Sequence, residues 1–380
     1  MTVWDLIVVG AGPAGSTAAL AAMRANPAAR VVMLDAAEFP RDKVCGDGVA
    51  PQALDVLAAL GVDIATLTAD TAPIHNLRLT SPRGVTAARQ FARPASVVPR
   101  ELLDARLLTA ARTAGAELRQ HRVRSLTQTA SGVDIDGAFH ARTVIGADGA
   151  ESVVRRQCGA RSAKAGTIAI ALRGYTSADP WPAGEQRLVM AAAHWPAYAW
   201  VFPIGDGTAN VGYGELIRTN PPTRAHLTQR LHELLPDCPP LDLRGHRLPL
   251  SPGRPNAGQN HVLLAGDAAS LINPLTGEGI YYAVLSGFLA GTAAMSPDPA
   301  DQYRRSLRGE LGRHLRHTDA LARLTRTPRL VDLATRAARD HQRAFDDLVE
   351  IGLGAGTISP ALAGAVLKPA LNVSGWTGKG

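Results

Sequence analysis

The sequence predicts an α/β fold in which a parallel sheet is interrupted by a second, antiparallel sheet and is followed by helices. Residues 5–25 read as a short apolar strand, a glycine-rich turn and an alanine-rich helix. Residues 160–257 contain short apolar strands punctuated by Pro, Gly and Asp, which is typical of an antiparallel sheet. From Asp301 onward, leucines recur at helical spacing among many arginines.

Composition narrows the class of protein. The chain has 380 residues, 46% hydrophobic and 19% charged, so it can form two domains with a sizeable core. The net charge of +7 comes mainly from arginines spread along a chain with only 4% aromatic residues, which argues against nucleic-acid binding. The N-terminus does not resemble a signal peptide, and glycines and a proline interrupt the apolar residues 351–367.

The cysteines and histidines indicate neither a disulfide framework nor a metal site. Cys45, Cys158 and Cys238 are far apart in the sequence, and the eleven histidines are dispersed without metal-ligand spacing. Reduced thiols are typical of a cytoplasmic protein, so we expect a cytoplasmic location and leave peripheral membrane contact open. We expect no bound metal.

The first glycine turn carries a nucleotide-binding pattern. Gly10, Gly12 and Gly15 form G-x-G-x-x-G between the first strand and its helix, where backbone N–H groups can hold phosphates. A second apolar run ends at Asp35, 20 residues beyond Gly15, where a carboxylate can bind a ribose hydroxyl. The pattern predicts a Rossmann-like domain but does not distinguish NAD from FAD.

Three later segments add to this pattern. An amphipathic helix is introduced by Arg100, and a strand ends in the G-A-D-G of residues 146–149. A further strand at residues 262–265 leads to Asp267, whose carboxylate can bind a ribityl or pyrophosphate hydroxyl. A helix then opens at Gly277-Glu278-Gly279, where backbone N–H groups can face an electron-rich ring.

The order of these motifs resembles the FAD-dependent enzymes similar to para-hydroxybenzoate hydroxylase. The segments "FPRDKVCGDG", "YAWVFPIGDGTANVGYG" and "GDAASLINPLTGEGIYYA" most closely resemble the geranylgeranyl reductase family, and the resemblance spans residue 3 to about residue 330. It implies an FAD-binding Rossmann-like domain of the glutathione reductase type. The FAD contacts that it implies are Ala14, Asp35, Cys45, Gly46, Gly48, Arg100, Val123, Asp267, Gly279 and Ile280.

The resemblance implies that the loop "KVCGDG" lies against the flavin. Family members often read K-x-C-G-G, whereas Asp47 follows Gly46 here and adds a carboxylate. Lys43 and the glycine N–H groups predict a lowered pKa for the Cys45 thiol, which makes Cys45 and Lys43 the candidate catalytic residues. The alternative is a small buried thiol that only fills space.

Aromatic residues are concentrated in the predicted antiparallel sheet. Tyr198 and Trp200 are two residues apart and share one face of a strand, and Tyr213 follows in the next strand. These three are the candidate substrate residues, as an apolar wall over the flavin. The alternative is that they form the core of the sheet.

The predicted domain organisation alternates along the chain. Residues 1–74, 98–159 and 258–300 form three parts of the FAD-binding domain. Residues 75–97 add a hairpin to the substrate sheet of residues 160–257, and residues 301–380 form a helical region.

The resemblance implies an FAD-dependent oxidoreductase that reduces C=C bonds of an isoprenoid (geranylgeranyl-type) or similar apolar small-molecule substrate. Two alternatives stay open: a flavin monooxygenase, halogenase or dehydrogenase of secondary metabolism, and a flavin-binding electron-transfer protein without a substrate of its own. The sequence contains no second G-x-G-x-x-G after a strand, so NAD(P)H would bind only transiently. A ferredoxin-type electron-donor protein is the other source of electrons left open.

Overall fold

A computed structural model describes residues 3–129, 131–159 and 166–373. The described residues form sixteen strands. In chain order these are β1 (Val3–Val9), β2 (Val31–Asp35), β3 (Gly48–Val49), β4 (Ile74–Thr80), β5 (Thr86–Val97), β6 (Glu117–Gln120), β7 (Leu126–Thr129), β8 (Gly132–Ile135), β9 (Phe139–Gly146), β10 (Ile168–Ser177), β11 (Glu185–Met190), β12 (Ala197–Pro203), β13 (Thr208–Leu216), β14 (Leu241–Pro249), β15 (Gly258–Gln259) and β16 (Val262–Leu264).

Helices cover both sheets and dominate the C-terminal part of the described chain. The α-helices are α1 (Pro13–Ala25), α2 (Pro51–Ala59), α3 (Ile64–Leu67), α4 (Arg100–Thr113), α5 (Val153–Gln157), α6 (Arg224–Leu234), α7 (Ile280–Ala294), α8 (Pro299–Leu324), α9 (Pro328–Asp340), α10 (Gln342–Leu353) and α11 (Pro360–Val373). A short 3-10 helix, Gly266–Ala269, follows β16.

The first sheet has the strand order β15-β16-β9-β1-β2-β6, with the β7–β8 hairpin paired to β9. β16, β9, β1, β2 and β6 run parallel, so their carboxyl ends meet at one edge of the sheet. The apolar strand β1 is central and its residues Leu6–Val9 are buried, as expected for a strand covered on both faces. In open sheets of this kind, ligands bind at the carboxyl edge.

The second sheet has the order β14-β10-β13-β12-β11-β4-β5-β3. It is antiparallel as predicted, except that β11 and β4 pair parallel, with Gln186 opposite Leu77. This exception arises because the chain passes through β6–β9 of the first sheet between these two strands, and a long crossover permits parallel pairing. The predicted α/β class is therefore confirmed, with one strand pair of different direction.

Helices pack on both faces of the second sheet. Leu227 and Leu231 of α6 pack with Val211 on one face, and Phe345 of α10 packs with Phe91 on the other. Helices α8 to α11 confirm the predicted C-terminal helices. Residues 160–165 and 374–380, which fall in the predicted substrate sheet and helical region, lie outside the described residues. Among the described helices, none combines the length and apolar character needed to span a bilayer.

Candidate active site

A cavity of about 1180 Å³ begins at the carboxyl edge of the first sheet and continues between the second sheet and the C-terminal helices. It is larger than the usual range for a small-molecule site, as expected for two ligands side by side. Many of the predicted site residues line this cavity: Gly10, Gly12, Ala14, Asp35, Lys43, Cys45, Gly46, Gly48, Arg100, Val123, Tyr198, Trp200, Asp267, Gly277, Gly279 and Ile280.

The glycine turn forms one end of the cavity. A Cβ built on Gly15 would lie 1.8 Å from the carbonyl oxygen of Gly10, so only glycine allows α1 to approach β1 this closely. A Cβ on Gly12 would instead meet guanidinium nitrogens of Arg41 at 3.5 Å and Arg100 at 3.7 Å. Gly12 directly precedes Pro13, the first residue of α1, and no side chain caps the N-terminus of this helix. The turn is therefore an open anion site.

Two arginines share one buried carboxylate beside this turn. Arg100 donates to both Asp104 oxygens at 2.6 and 2.7 Å, and Arg41 pairs with Asp104 at 2.9 Å. Burial opposes the charge of Arg100, but Asp104 raises the pKa of its guanidinium above the ordinary value. Two cations against one anion leave one net positive charge, which suits a diphosphate. Arg100 was predicted, whereas Asp104 and Arg41 were missed; the four-residue spacing of Arg100 and Asp104 in a helix was the available signal.

Asp35 ends β2 at the same edge. Its carboxylate accepts hydrogen bonds from the backbone N–H of Ala11 at 2.8 Å and of Ala37 at 2.9 Å. The acid therefore fixes the glycine turn as well as facing the cavity, a role that the sequence did not reveal. Val123, which follows β6, is buried beside this part of the cavity.

We expect Asp35→Ala to weaken FAD binding about tenfold, since a charge-assisted hydrogen bond contributes roughly 1.5–3 kcal/mol. The dissociation constant can be measured by titrating deflavinated protein with FAD. Asp5→Ala is the matched control, because Asp5 accepts from the Arg30 backbone N–H at 2.9 Å at the opposite end of the same strands. Equal affinities of the two variants would contradict a cofactor role for Asp35.

Asp267 lies just after β16 and pairs with Lys43, whose Nζ is 3.2 Å from Oδ2. Burial favours the neutral acid, but Lys43, His246 and Arg100 outweigh it and hold the pKa of Asp267 below its ordinary value. Lys43 was predicted to lower the pKa of the Cys45 thiol, and the structure pairs its ammonium with the Asp267 carboxylate. His246, on β14, was missed; burial and the nearby cations Lys43 and Arg100 lower its pKa.

The G-E-G turn opens α7 next to Asp267. Gly279 immediately precedes the helix and Ile280 is its first residue, while Gly277 takes the left-handed backbone conformation with φ +73°. The Glu278 carboxylate accepts from the Tyr281 backbone N–H at 2.8 Å, and burial raises its pKa to about 7. Glu278 was not among the predicted site residues, although it is part of the motif.

The loop of residues 42–48 crosses the cavity between the two sheets. Burial raises the pKa of the Cys45 thiol, and the Asp47 carboxylate adds to this effect. Arg100, Lys43 and a hydrogen bond from the Asp47 backbone oppose it. The expectation of a lowered pKa is therefore wrong in direction. The reason is that the positive charge of Lys43 is paired with Asp267 and the loop is enclosed.

An aromatic row on β12 supports this loop. Tyr198, Trp200 and Phe202 share one face, with ring centroids 6.0 and 6.4 Å apart along the row. A Cβ on Gly46 would lie 3.3 Å from Phe202 and 3.6 Å from Trp200, so the glycine lets the loop backbone pack on the row. Gly48, at the end of the loop, begins β3 and pairs with Val97 of β5.

Tyr213 does not belong to the aromatic row on β12. It lies opposite Ala199, whose side chain points away from the aromatic face, and it is fully buried in the core under α6. Its hydroxyl donates to Glu215 at 2.7 Å. The prediction of Tyr213 as a substrate residue is wrong because strand register places it on the other face. Tyr198 and Trp200 do face the cavity.

One cluster of potential metal ligands occurs in the described part of the chain. The spacing of the histidines in the sequence did not predict it. Ligand atoms of His194, Glu215 and His226 lie within 4.8 Å of one another. Glu215 already accepts from Tyr213 and pairs with His226 at 3.0 Å. We interpret the cluster as a hydrogen-bonded pair of Glu215 and His226, with the His194 imidazole packed edge-on against the His226 ring.

The cavity fits FAD in its chemistry from end to end. The glycine turn and the arginine pair offer an anion site for the diphosphate, and Asp35 can accept a ribose hydroxyl. Asp267 and the G-E-G turn, together with Cys45, surround the region that remains for the flavin. The space beyond it is apolar.

Comparisons with known proteins agree with this geometry. Residues 4–293 match the family model described as FAD binding domain. The chain is 33% identical over 356 residues to a menaquinone reductase of Mycobacterium tuberculosis, covering 86% of this chain and 85% of that protein. It is 30% identical over 320 residues to digeranylgeranylglycerophospholipid reductase 2 of Methanosphaera stadtmanae, covering 76% of this chain and 77% of the relative. The crystal structure of a geranylgeranyl bacteriochlorophyll reductase-like protein from Thermoplasma acidophilum superposes with a TM-score of 0.78 at 22% identity, covering 98% and 100% of the two chains.

Proposed function

This chain belongs to the FAD-binding domain family, and on that premise we propose that it reduces carbon–carbon double bonds of a polyisoprenoid chain. Its class, an FAD-dependent oxidoreductase, follows from the family and from the reductases that it resembles. The observation that carries the finer proposal is the continuity of the cavity. One space connects the nucleotide-binding edge of the first sheet with an apolar extension under the C-terminal helices.

The apolar extension suits a long hydrocarbon. It lies between the second sheet and helices α8 to α11, and its walls carry aliphatic side chains from both. Menaquinone and digeranylgeranyl glycerophospholipids, for which the two relatives are named, both carry polyisoprenoid chains. Residues that represent the walls of the extension are Leu79, Leu188, Met190, Leu330, Leu348 and Val366.

The chemistry requires what this site can provide. Reduction of an isolated alkene adds a hydride to one carbon and a proton to the other, and FAD supplies the hydride when it is bound and reduced. The protein must hold the double bond in place, exclude water and keep a proton ready. The Cys45 thiol, kept protonated by burial, lines the cavity where the nucleotide part meets the apolar extension.

The test is a single turnover that needs no natural electron donor. The FAD-loaded protein is reduced with dithionite without oxygen and mixed with a geranylgeranyl lipid, which has no quinone ring to accept the electrons. We expect reoxidation of the flavin absorbance together with a product heavier by two hydrogens, while the fully saturated lipid gives neither. Reoxidation by oxygen alone, with no change in product mass, would contradict the proposal and favour an oxygenase.

We also propose that the mouth of the apolar extension docks on an anionic membrane. Two large apolar side chains at this mouth are exposed to solvent, Leu324 at 55% and Leu367 at 49%. The exposed residues Arg323, Arg326 and Arg329 lie within five residues of Leu324 in the sequence, about the turn between α8 and α9, and Arg323 pairs with Asp319 at 2.8 Å. Exposed apolar side chains with arginines close to them in the sequence match a lipid surface with negative headgroups, from which an isoprenoid lipid can enter.

The double variant Leu324→Glu with Leu367→Glu should lose vesicle binding at least tenfold, because burying each leucine contributes roughly 1.5–3 kcal/mol. Binding is measured by flotation with vesicles of phosphatidylcholine and phosphatidylglycerol. Leu241→Glu is the matched control, since Leu241 is 74% exposed on the edge strand β14 and does not line the cavity. If the double variant and the control float equally well, the mouth is not the docking surface.

A further inference from the structure

Asp47 is a buried acid in the cavity wall, on the same loop as Cys45. The residue is 0% exposed, and its backbone takes a left-handed conformation with φ +61°. Its Oδ2 accepts from the Tyr175 hydroxyl and from Asn210 Nδ2, both at 2.7 Å. Its Oδ1 is also buried and has no hydrogen-bond partner among the described residues. The acid lines the cavity two residues after Cys45.

The position of this carboxyl relative to Cys45 is fixed by the second sheet. Asn210 of β13 donates to Asp47 Oδ2 and also to the Cys45 carbonyl oxygen, at 2.9 Å. The side-chain oxygen Oδ1 of Asn210 in turn accepts a hydrogen bond from Trp200 Nε1 at 2.8 Å. Trp200 belongs to the aromatic row on which the loop packs. A single amide thus ties the acid, the thiol-bearing backbone and the cavity wall together.

The cations near Asp47 are committed to other partners. Arg100 of α4 forms a two-pronged pair with Asp104, and Arg173 of β10 pairs with Asp42 at 2.6 Å. Arg173 also lies over the Tyr175 ring, with its guanidinium carbon 4.6 Å from the centroid. Burial therefore dominates, and it raises the pKa of Asp47 to about 6 in spite of hydrogen bonds and these charges.

The arrangement carries two costs in stability beside the two hydrogen bonds that Asp47 accepts. A residue other than glycine at a left-handed φ is strained by roughly 1 kcal/mol, and a buried oxygen without a partner adds its desolvation cost. Glycine, the residue that the resemblance predicts at this position, would remove both costs. Strained and unsatisfied groups of this kind persist where they serve the chemistry of a site.

We propose that Asp47 is a positioning residue that keeps the Cys45 thiol protonated and relays a replacement proton to it. The proposal rests on the proposed function. As the C–H bond forms at the second alkene carbon, the S–H bond of Cys45 breaks and leaves a thiolate beside a carboxylate. After the product leaves and water enters the cavity that Asp47 lines, the carboxylate takes a proton from a hydronium ion of the solvent and passes it to the sulfur, which restores the S–H bond and the carboxylate.

The charged and titratable groups around Cys45 and Asp47 determine whether the pKa of the Cys45 thiol rises or falls when Asp47 is replaced. Arg100, Lys43 and the Asp47 backbone N–H favour the thiolate, whereas burial and the Asp47 carboxylate favour the thiol. Tyr198, on the aromatic row, also faces Cys45, and Tyr175 and Arg173 face Asp47. Removing the Asp47 charge leaves the two cations unopposed except by burial. The pKa of Cys45 should therefore fall when the carboxylate is lost.

The test is the pH dependence of Cys45 alkylation by iodoacetamide in the FAD-loaded protein, with Cys158 and Cys238 replaced by serine. Asp47→Asn keeps the shape and tolerates the left-handed backbone, and we expect its Cys45 to react about tenfold faster near neutral pH, as for a thiol pKa one unit lower. Asp47→Gly should show the same faster alkylation of Cys45, and glycine takes the left-handed backbone conformation without strain. Tyr175→Phe is the control that keeps the charge and should retain the wild-type profile.

A second measurement follows successive turnovers. In Asp47→Asn the first double bond should be reduced more slowly than in the wild type, because a smaller fraction of Cys45 is protonated, and later double bonds more slowly still, because the thiol no longer receives a replacement proton from Asp47. An alkylation profile equal to that of the wild type in both Asp47 variants would overturn the proposal. A shifted profile in a protein that reduces no alkene would support the Asp47–Cys45 coupling and overturn the proposed function instead.

Discussion

Arg100→Gln should lower the free energy of unfolding by about 3 kcal/mol and leave the purified protein without FAD. The substitution removes one partner of a buried ion pair, and the loss of such a partner typically costs 3–5 kcal/mol. Asp104 is 0% exposed and retains only its contact with Arg41 at 2.9 Å. The net charge beside the glycine turn falls from +1 to zero, so a diphosphate loses its attraction as well as a donor. Urea unfolding and the flavin absorbance of the pure protein measure the two effects.

The matched control is Arg304→Gln in α8. Arg304 pairs with Asp301 at one helical turn, but both side chains are exposed, and pairs of this kind contribute little to stability. We expect this variant to retain FAD and to unfold as the wild type does. If Arg100→Gln is as stable as the control and stays yellow, the Arg41–Asp104–Arg100 cluster is neither a stabilising element nor the diphosphate site.

Features encoded by local spacing could be predicted from the sequence. The G-x-G-x-x-G turn depends only on residues next to one another, and the structure gives Gly15 the close approach that the motif requires. Asp35 and Asp267 follow strands of one parallel sheet, so their presence at the same edge follows from strand direction alone. The order of the motifs along the chain carried the family resemblance, and the resemblance indicated FAD where the glycine pattern alone did not distinguish it from NAD.

Features that depend on long-range packing could not be predicted. Lys43 and Asp267 are 224 residues apart, so the sequence could not show that the ammonium pairs with this carboxylate. Tyr213 was misplaced because the face of a strand depends on its register with the neighbouring strand. The pKa of Cys45 was misjudged for a related reason, since enclosure by two sheets outweighs the charges nearby in sequence.

The parallel pairing of β4 and β11 illustrates the same limit at the level of topology. Short apolar strands with turn residues predict hairpins between neighbours in sequence, and β4–β5 and β12–β13 pair in this way. The pairing of β4 with β11 joins segments separated by a whole part of the first sheet. It places Gln186 and Leu188 of β11 beside Leu77 and Leu79 in the cavity wall.

Cys45→Ala should slow the single-turnover reduction of an alkene by on the order of 100-fold or more, since a positioned general acid contributes at least that much. FAD binding should persist, because a half-buried thiol adds only packing to the cofactor site. Cys45→Ser keeps an O–H group of far higher pKa, so it should also be slow, and no slower than alanine. Stopped-flow reoxidation of the dithionite-reduced protein by a geranylgeranyl lipid measures each rate.

The control and the pH dependence make this prediction specific to a proton donor. Cys238→Ala removes a fully buried thiol from the core under α6, away from the cavity, and burial raises the pKa of that thiol to about 11 as well. Cys238→Ala should lower the free energy of unfolding and leave the rate of alkene reduction unchanged.

The rate of alkene reduction should also depend on pH. The proton donor must be protonated and the pKa of Cys45 is raised, so the wild-type rate should hold through neutral pH and fall only as the pH rises through that pKa. The residual rate of Cys45→Ala should lack this alkaline fall. A Cys45→Ala enzyme that reduces the lipid at the wild-type rate would show that the thiol only packs. The proton would then come from another group in the cavity, and Glu278 is a candidate because burial raises the pKa of its carboxyl to about 7.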